Sequence, residues 1–267
     1  MFFIPRLIKA RYRNLAAIAG ALALVSSPVQ AVVNIEDMYT KEPLEGFSGK
    51  VALSANGDRG NTNKSSLGAG ARTQWNYERT LDFVVFNYNV GETDGERDVN
   101  NSFLHARHIR RLTETTAWEA FGQIQQNEFQ RLSYRALAGG GARFTFLQSP
   151  AEKDRLIIGT GAFYEREELD DEPGTTDAGI ETTTRANLYI VFNYKLNEHV
   201  RAQTTTYYQP SFDDVDNFRA IEQATLLVQL AERLDLKLQI NASYNSRPPQ
   251  LVERGDLNYL TGIEYRF

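Results

Sequence analysis

The 267-residue sequence contains no cysteine, which excludes disulfide bonds, a thiol nucleophile and thiolate metal ligands. Proline is sparse, with eight residues, and only three histidines could act as general bases. Beyond the N-terminal region, no stretch approaches the roughly 18 continuous apolar residues that a transmembrane helix requires. The sequence therefore offers little material for helices that span a membrane or for cysteine-dependent chemistry.

Aromatic residues and glycine are plentiful by contrast. The chain has 13 tyrosines, 15 phenylalanines and 19 glycines, while hydrophobic residues reach only 42%. This mixture favours many strands over helices, and the low apolar share suggests strands with a single apolar face. The formal net charge of −5 argues against nucleic acid as a partner.

Residues 1–31 have the pattern of a signal peptide. A basic start precedes an apolar core at 15–25, and small residues follow up to Ala31. The apolar core is too short for the alternative, a membrane anchor. Cleavage after Ala31 would remove four positive charges and take the net charge from −5 to about −9. We expect export, with 32–45 as a periplasmic lead-in. The basic residues are Arg6, Lys9, Arg11 and Arg13.

Apolar and polar residues alternate strictly in four later segments. Each alternation extends over about ten residues, which is longer than the usual soluble strand of about five or six. It is the length that a tilted strand needs to cross a bilayer. The segments are 67–77, 156–165, 185–195 and 234–244.

Short and long connections also alternate along the chain, and together they separate twelve strands. The pattern predicts a single all-β domain at 46–267, a transmembrane antiparallel up-and-down β-barrel of about 12 strands in the cell outer membrane, with its short turns periplasmic. A soluble β-sandwich would explain neither the strand length nor the loop asymmetry. The short turns are 77–80, 113–116, 149–153, 197–199 and 231–233; the longer stretches are 57–63, 91–100, 126–130, 168–179, 210–217 and 246–256.

The last strand ends on alternating residues with an aromatic at the final position. In lipid this strand must pair with the first, near 46–56, because an open edge leaves backbone groups unpaired. Tyr265 and Phe267 resemble the signal that the barrel-insertion machinery recognises, which makes that machinery an expected partner during assembly.

The inward faces of these strands collect charges of both signs, which a wet interior tolerates better than lipid does. Two interpretations remain open: ion pairs that fill the barrel, or an arginine-lined channel for small solutes or ions. The interior width of a twelve-stranded barrel is compatible with either interpretation. The predicted lining residues are Arg72, Arg107, Glu119, Arg135, Arg143, Glu165, Arg185, Arg201 and Glu264.

Two segments are less regular. At 102–112 the sequence favours Leu104 and His108 outward with His105 and Arg107 inward, and at 220–230 either register is open. Glycine pairs at 68/70, 139/141 and 159/161 lie on the inner faces. They could bend the wall, leave room for long arginines, or line a cleft for a small ligand.

Catalysis is not expected. His105 and His108 are three positions apart on one strand, so they face opposite ways and cannot share a site. We expect no cofactor and no metal centre. The acidic stretches 167–177 and 212–216 are expected to be solvated, or bridged by divalent ions to lipopolysaccharide, which together with outer-membrane lipid is the expected partner.

Four stretches resemble a known family. They are FSGKVALSANGDRGNTNKSSLGAG (47–70), NEFQRLSYRALAGGGARF (127–144), YYQPSFDDVDNFRA (207–220) and GIEYRF (262–267). In this order they resemble the salt-induced outer-membrane protein family, a domain of unknown function. The resemblance implies a single-domain outer-membrane barrel tied by name to salt or osmotic response. It implies no catalytic residues.

Overall fold

The structure, a computed structural model, describes residues 46–60, 63–149, 154–232 and 234–265. The expected signal peptide at 1–31, the lead-in at 32–45 and Phe267 lie outside these residues. Glu264 and Tyr265 are described by their backbone alone.

The described chain forms one antiparallel sheet of twelve strands in which every strand pairs with its neighbours in sequence. This confirms the predicted all-β, up-and-down topology and the strand count. A short 3₁₀ helix, Glu128–Gln130, joins β5 to β6. Within the described ranges, no helix is long and apolar enough to span a membrane. The strands are β1 Gly46–Asp58, β2 Lys64–Tyr77, β3 Thr80–Thr93, β4 Glu96–Arg111, β5 Thr116–Asn127, β6 Leu132–Ser149, β7 Asp154–Leu169, β8 Gly179–Lys195, β9 Val200–Pro210, β10 Phe218–Ala231, β11 Leu234–Asn245 and β12 Gly255–Tyr265.

The sheet has two chemically different faces, because successive side chains of a strand point to opposite sides. We call the face that carries Glu119, Glu165 and Arg185 the inner face; all three side chains are buried. The opposite, outer face exposes Trp75 and Ile158. The predicted alternation is therefore confirmed in these strands, with the apolar side chains outward and the charged ones inward.

The two irregular segments have definite registers. In β4, Leu104 is exposed while His105 and Arg107 are buried, as predicted. In β10, Gln223 and Thr225 are buried on the inner face, which settles the register that the sequence left open.

Long-range contacts curl the sheet around its inner face. The Tyr189 hydroxyl of β8 donates to Glu119 Oε1 of β5 at 2.9 Å. Gln130, after β5, donates to Asp256 of β12 at 3.2 Å. Adjacent strands lie about 4.8 Å apart, so these strands would be well separated in a flat sheet.

The interior also contains apolar clusters, which the sequence analysis did not predict. One joins β3, β4 and β5 through Leu81, Phe83, Ile109 and Ala117. A second joins β7, β8 and β9 through Ile157, Tyr189, Val191 and Tyr207. The inner face therefore combines ionic and apolar packing.

The edges of the sheet are not joined. Among the described residues, no pairing between β1 and β12 is found, and the sheet order runs from β1 to β12 without returning. Accordingly Val51 and Leu53 of β1 are 78% and 82% exposed, and Tyr259 of β12 is 78% exposed. The sheet is strongly curved with open edges.

One predicted loop is wrong. The stretch 91–100 was expected to be a long loop, but β3 continues to Thr93 and β4 begins at Glu96. Asp94 and Gly95 alone form the turn, with φ of 53° and 87°. An Asp-Gly pair accommodates two positive φ angles, so it forms the tight turn whose twist matches the flanking strands. The polar residues around it belong to β3 and β4, and β3 pairs with β2 as far as Thr93.

Candidate functional site in the concave interior

Glu165 on β7 lies at the centre of the charged interior and is 1% exposed. Arg185 Nε donates to its Oε1 at 2.5 Å, and Arg219 Nη1 donates to its Oε2 at 2.7 Å. Arg135 approaches the same oxygen at 3.8 Å. One carboxylate is thus shared by arginines from β6, β8 and β10.

Glu167, two positions further along β7, extends this arrangement. Arg219 Nη2 contacts both of its oxygens at 2.8 Å, and Arg135 also pairs with it. Arg185 is further held by the Asn217 carbonyl at 2.9 Å and by Asn217 Oδ1 at 3.0 Å. We call Glu165, Glu167, Arg135, Arg185 and Arg219 the upper cluster.

A second cluster surrounds Glu119 of β5 towards the short turns. Arg107 and Arg143 approach its Oε2 at 3.4 and 3.7 Å, and Tyr189 donates to its Oε1. The Arg107 guanidinium also lies 5.0 Å from the centre of the Phe121 ring, within cation–π range. We call Glu119, Arg107, Arg143 and Tyr189 the lower cluster.

Glycine makes the lower cluster possible, although not in the way that was expected. A Cβ added at Gly159 would lie 2.0 Å from Tyr189 Cζ, so the tyrosine ring covers this glycine. The sequence left three roles open for these glycines, namely bending the wall, leaving room for long arginines or lining a cleft, and at Gly159 an aromatic ring fills the room. Covering a strand glycine with a cross-strand aromatic is a recognised way to stabilise a sheet.

His105 is buried beside this cluster, between the Arg107 guanidinium and the side-chain amide of Gln123. Arg107 Nε donates to its Nε2 at 3.3 Å, so Nε2 is an acceptor and the proton resides on Nδ1. Nδ1 then donates to Gln123 Oε1 at 3.1 Å. The hydrogen bonds thus fix a neutral imidazole.

His108 lies on the outer face, as predicted, and pairs with Asp82 at 2.6 Å. Its ring also contacts Trp118, with centroids 4.8 Å apart. The cross-strand neighbours of this pair are Trp75 beside Asp82 and Ala120 beside His108. Neither carries a nucleophile, and the two strand histidines do not share a site.

Arg131 connects three loops above the upper cluster. Its guanidinium donates to Asp177 Oδ1 at 2.8 Å, to the Asp170 carbonyl at 2.8 Å, to Thr175 Oγ1 at 2.9 Å and to the Gln250 carbonyl at 2.9 Å. Gln250 N donates to Asp177 Oδ2 at 2.6 Å. We call these five residues the loop latch.

The loop latch alters the acidity of Asp177, which lies outside the strands. The backbone N–H of Gln250 and then the Arg131 side chain favour its ionised form, so its pKa is lowered from the ordinary value of 3.8. The latch holds the β7–β8 and β11–β12 loops together over the interior.

Beneath the latch lies a cavity of about 320 Å³. Its lining includes the upper cluster residues Arg135, Glu165, Glu167 and Arg219, together with loop residues of both latched loops. Within the described residues, no group of three or more His, Asp or Glu side chains is arranged to hold a metal ion.

Most predicted lining residues meet in the two clusters: Arg107, Glu119, Arg135, Arg143, Glu165 and Arg185. Arg72 and Arg201 lie on the inner face outside the clusters, half-buried. The backbone of Glu264 pairs opposite Asp235, which places it on the inner register.

Four central residues were not predicted. The expectation that the acidic stretch 167–177 is solvated is wrong for Glu167, which is buried because it lies two positions from Glu165 and therefore shares its face. Arg219 belongs next to the segment whose register was open. Arg131 lies in a turn and Tyr189 looked like an ordinary aromatic strand residue, so the alternation carried no signal for either.

The outer face is mostly apolar, with aromatic residues near both ends of the strands, and it includes a polar contact in which Thr204 and Thr206 donate to Glu222. Trp75, Tyr77 and Trp118 lie towards the short turns, and Tyr164 and Tyr208 lie towards the longer loops; all five are exposed. Between them lie residues such as Leu67, Phe86, Leu104, Ile158, Leu188, Ile190, Leu238 and Ile240, which are also exposed.

Comparison with known proteins gives a family match and a distant structural likeness. A family model described as protein of unknown function, DUF481, matches residues 51–267. The translocator domain of the autotransporter NalP from Neisseria meningitidis is similar with a TM-score of 0.40 and 10% identity, over 83% of this chain and 87% of that one. No curated protein matches the sequence.

Proposed function

Because the chain belongs to the DUF481 family, whose function is unknown, we propose a function from its own geometry. The protein is an outer-membrane β-barrel whose interior is sealed by its ionic clusters. It has no catalytic activity and supports envelope integrity or the response to salt and osmotic stress. The link to salt rests on the resemblance of its sequence motifs alone.

The outer surface supports the membrane assignment. In water, an apolar patch of this extent is unusual, because exposed apolar patches on soluble monomers rarely exceed a few hundred Å². In lipid the same surface is favourable, and Trp and Tyr at one end with Tyr at the other match the aromatic girdles of outer-membrane barrels. The charged inner face then has an enclosed, polar environment.

Closure of the barrel is part of the proposal. Strands β1 and β12 have to pair, because an unpaired edge in hydrocarbon costs several kcal/mol for each orphaned backbone group. The sequence contains no cysteine, so pairs of engineered cysteines can report this pairing cleanly. One cysteine is placed on β1, by Leu53→Cys or Ala55→Cys, and one on β12, by Leu257→Cys or Tyr259→Cys. We expect at least one of these pairs to form a disulfide within single molecules. Disulfides only between molecules would instead indicate pairing of edges from different chains.

One observation supports the proposal that the interior is sealed. The upper cluster interlocks arginines of three strands around two carboxylates of β7, and the side chains of Arg185 and Glu165 are only 3% and 1% exposed. An ion moving along the axis would have to separate these pairs. Breaking a buried pair costs about 3–5 kcal/mol, which opposes conduction.

Planar-bilayer recording of the refolded protein tests the seal. We expect no steady current at any applied voltage, while the same preparation migrates as a folded, heat-modifiable species on a gel. Reproducible single-channel steps from folded protein would contradict the proposal.

A narrow channel for small solutes or ions is the second candidate, and one observation favours it. Uncharged polar atoms are buried on the inner faces of β8 to β11, and Asn193 Oδ1, Gln223 Oε1 and Thr225 Oγ1 have no hydrogen-bond partner within the described part of the chain. Buried polar groups are normally satisfied, often by water. A hydrated path on this side of the interior would give steady conductance in the same recordings.

The proposed absence of catalysis can be tested at the two strand histidines. Replacing both His105 and His108 by Ala should leave envelope lipid turnover unchanged. A loss of turnover that is reproduced by His108→Ala alone would indicate a lipid-facing hydrolase site at His108 and Asp82.

A further inference from the structure

The cavity beneath the loop latch has a nearly neutral wall. Five arginines and six carboxylates line it, so their formal charges almost cancel. His105, which also lines it, is held as a neutral imidazole by Arg107 and Gln123. A ligand with a large net charge would therefore gain little from this wall.

The charged groups of the upper cluster, at the centre of this lining, are also paired with one another. Arg219 donates to both Glu165 and Glu167, and Arg135 pairs with the same two carboxylates. A charged ligand could bind them only by displacing a buried partner, which is strongly unfavourable.

Neutral amides supply the remaining hydrogen-bonding capacity. Gln123 Nε2 donates to Gln125 Oε1 at 2.6 Å, and Gln209 Nε2 donates to Asn187 Oδ1 at 3.0 Å. Each amide has two donor hydrogens and two acceptor lone pairs, so these contacts leave the amino groups of Gln125 and Asn187 available. Asn187 is 2% exposed, so its amide is directed into the interior rather than to bulk water.

Aromatic rings lie beside these amides in the cavity lining. Phe121 and Phe163 pack edge to face at 6.4 Å, and Tyr207 contributes a third ring. Amides that donate and accept, combined with aromatic faces, suit a molecule with hydroxyl groups around an apolar ring. The cavity volume of about 320 Å³ lies at the lower end of the range for ligand pockets.

We propose that this cavity binds a neutral polyhydroxylated small molecule, of the size of a mono- or disaccharide. This proposal adds a ligand site to the barrel. It rests on the proposed function in one respect, which is that the interior is enclosed. The loop latch covers the site, so the ligand enters when the β7–β8 and β11–β12 loops separate.

Isothermal titration of the full mature chain, refolded in detergent micelles, tests this assignment. The probes are glucose and maltose as neutral sugars, glucuronate as the anionic analogue and glucosamine as the cationic one. We expect saturable binding of at least one neutral sugar and affinities at least tenfold lower for both charged analogues.

Variants of two adjacent glutamines provide the matched control. Gln125→Leu should weaken sugar binding about tenfold, because it removes an amide that faces the cavity. Gln126→Leu should leave affinity unchanged, because Gln126 lies exposed on the outer face of the same strand. Gln125→Glu keeps the size of the side chain and should shift the preference towards glucosamine, which keeps the test available if Gln125→Leu does not fold.

Three results would overturn the proposal: no saturable heat from either neutral sugar up to about 0.1 M, far above a millimolar dissociation constant; tighter binding of glucuronate than of glucose; or equal affinities in both leucine variants. These outcomes are independent of the seal. If no sugar binds and the bilayer carries no current, only the ligand proposal fails. If a sugar binds and the bilayer carries a steady current, only the proposal of a sealed interior fails.

Discussion

Glu165 is the most widely shared charge of the interior, since arginines from three strands approach its two oxygens. Burial of charge is favourable only when partners and hydrogen bonds replace water. At the scale of single residues, therefore, the stability of the interior depends on keeping each carboxylate ionised and in place.

Glu165→Gln should destabilise the fold by about 3 kcal/mol, because it leaves the buried Arg185 without its carboxylate, while Arg135 and Arg219 keep only Glu167. The free energy of unfolding, measured by guanidinium titration in micelles, checks this value. Glu168→Gln is the control: Glu168 is exposed on the outer face of the same strand, and the change should stay within about 0.5 kcal/mol. Equal effects of the two variants would contradict the role of the upper cluster.

Gly159→Ala should destabilise by about 1–3 kcal/mol, because the new methyl group would overlap the Tyr189 ring. Gly122→Ala on β5 is the matched control, since its Cβ would meet only the Leu137 carbonyl at 3.8 Å. That variant should be neutral or slightly stabilising. The same unfolding titration distinguishes them, and a tolerated alanine at 159 would show that Tyr189 is free to move.

The face of each charged residue could be predicted from the sequence, but its partners could not. Alternation places Arg107, Glu119 and Glu165 inward because the strand period is two. Which arginine reaches which carboxylate depends on curvature and on stagger between strands. Arg219 bonds Glu165 across 54 positions of sequence, and no local pattern contains that information.

At the scale of the elements, the turn between two strands determines where each strand of a hairpin ends. The Asp94–Gly95 turn carried the strongest short hairpin signal in the sequence, yet the polar residues around it favoured a loop. Polar residues alone do not exclude a strand. Those residues belong to β3 and β4, and β3 pairs with β2 as far as Thr93.

The loop latch predicts a pH dependence. Because the folded pKa of Asp177 is lowered from 3.8, its contribution is complete above pH 3.8 and is lost as the pH falls through the still lower folded pKa. Spin labels at exposed positions, Ala178→Cys and Leu251→Cys, should give a short, narrow distance distribution at neutral pH that broadens in acid.

Asp177→Asn should broaden the same distribution already at neutral pH, since a neutral amide binds Arg131 less strongly than a carboxylate. Asp171→Asn, an exposed change in the same loop, should leave it narrow. If Asp177→Asn leaves the distribution as narrow as in the wild type at neutral pH, the latch does not depend on the Asp177 charge.

For the whole molecule, the decisive property is which face meets lipid. The only two tryptophans, Trp75 and Trp118, are 53% and 38% exposed on the outer face towards the short turns. In vesicles, lipids brominated close to the headgroup should quench their fluorescence more than lipids brominated at the chain ends. Quenching by aqueous iodide alone would place the outer face in water and end the membrane proposal.

The order of contacts along the chain has a consequence for biogenesis. Every strand pairs with its sequence neighbours, so the wall can grow one hairpin at a time. The bonds from Arg219 to Glu165 and Glu167 cannot form until β10 has joined β7, β8 and β9. The upper cluster is therefore completed late, although its pairs between adjacent strands, such as Arg185 with Glu165, can form earlier. Substitution of Arg219 should then increase the unfolding rate far more than it decreases the insertion rate.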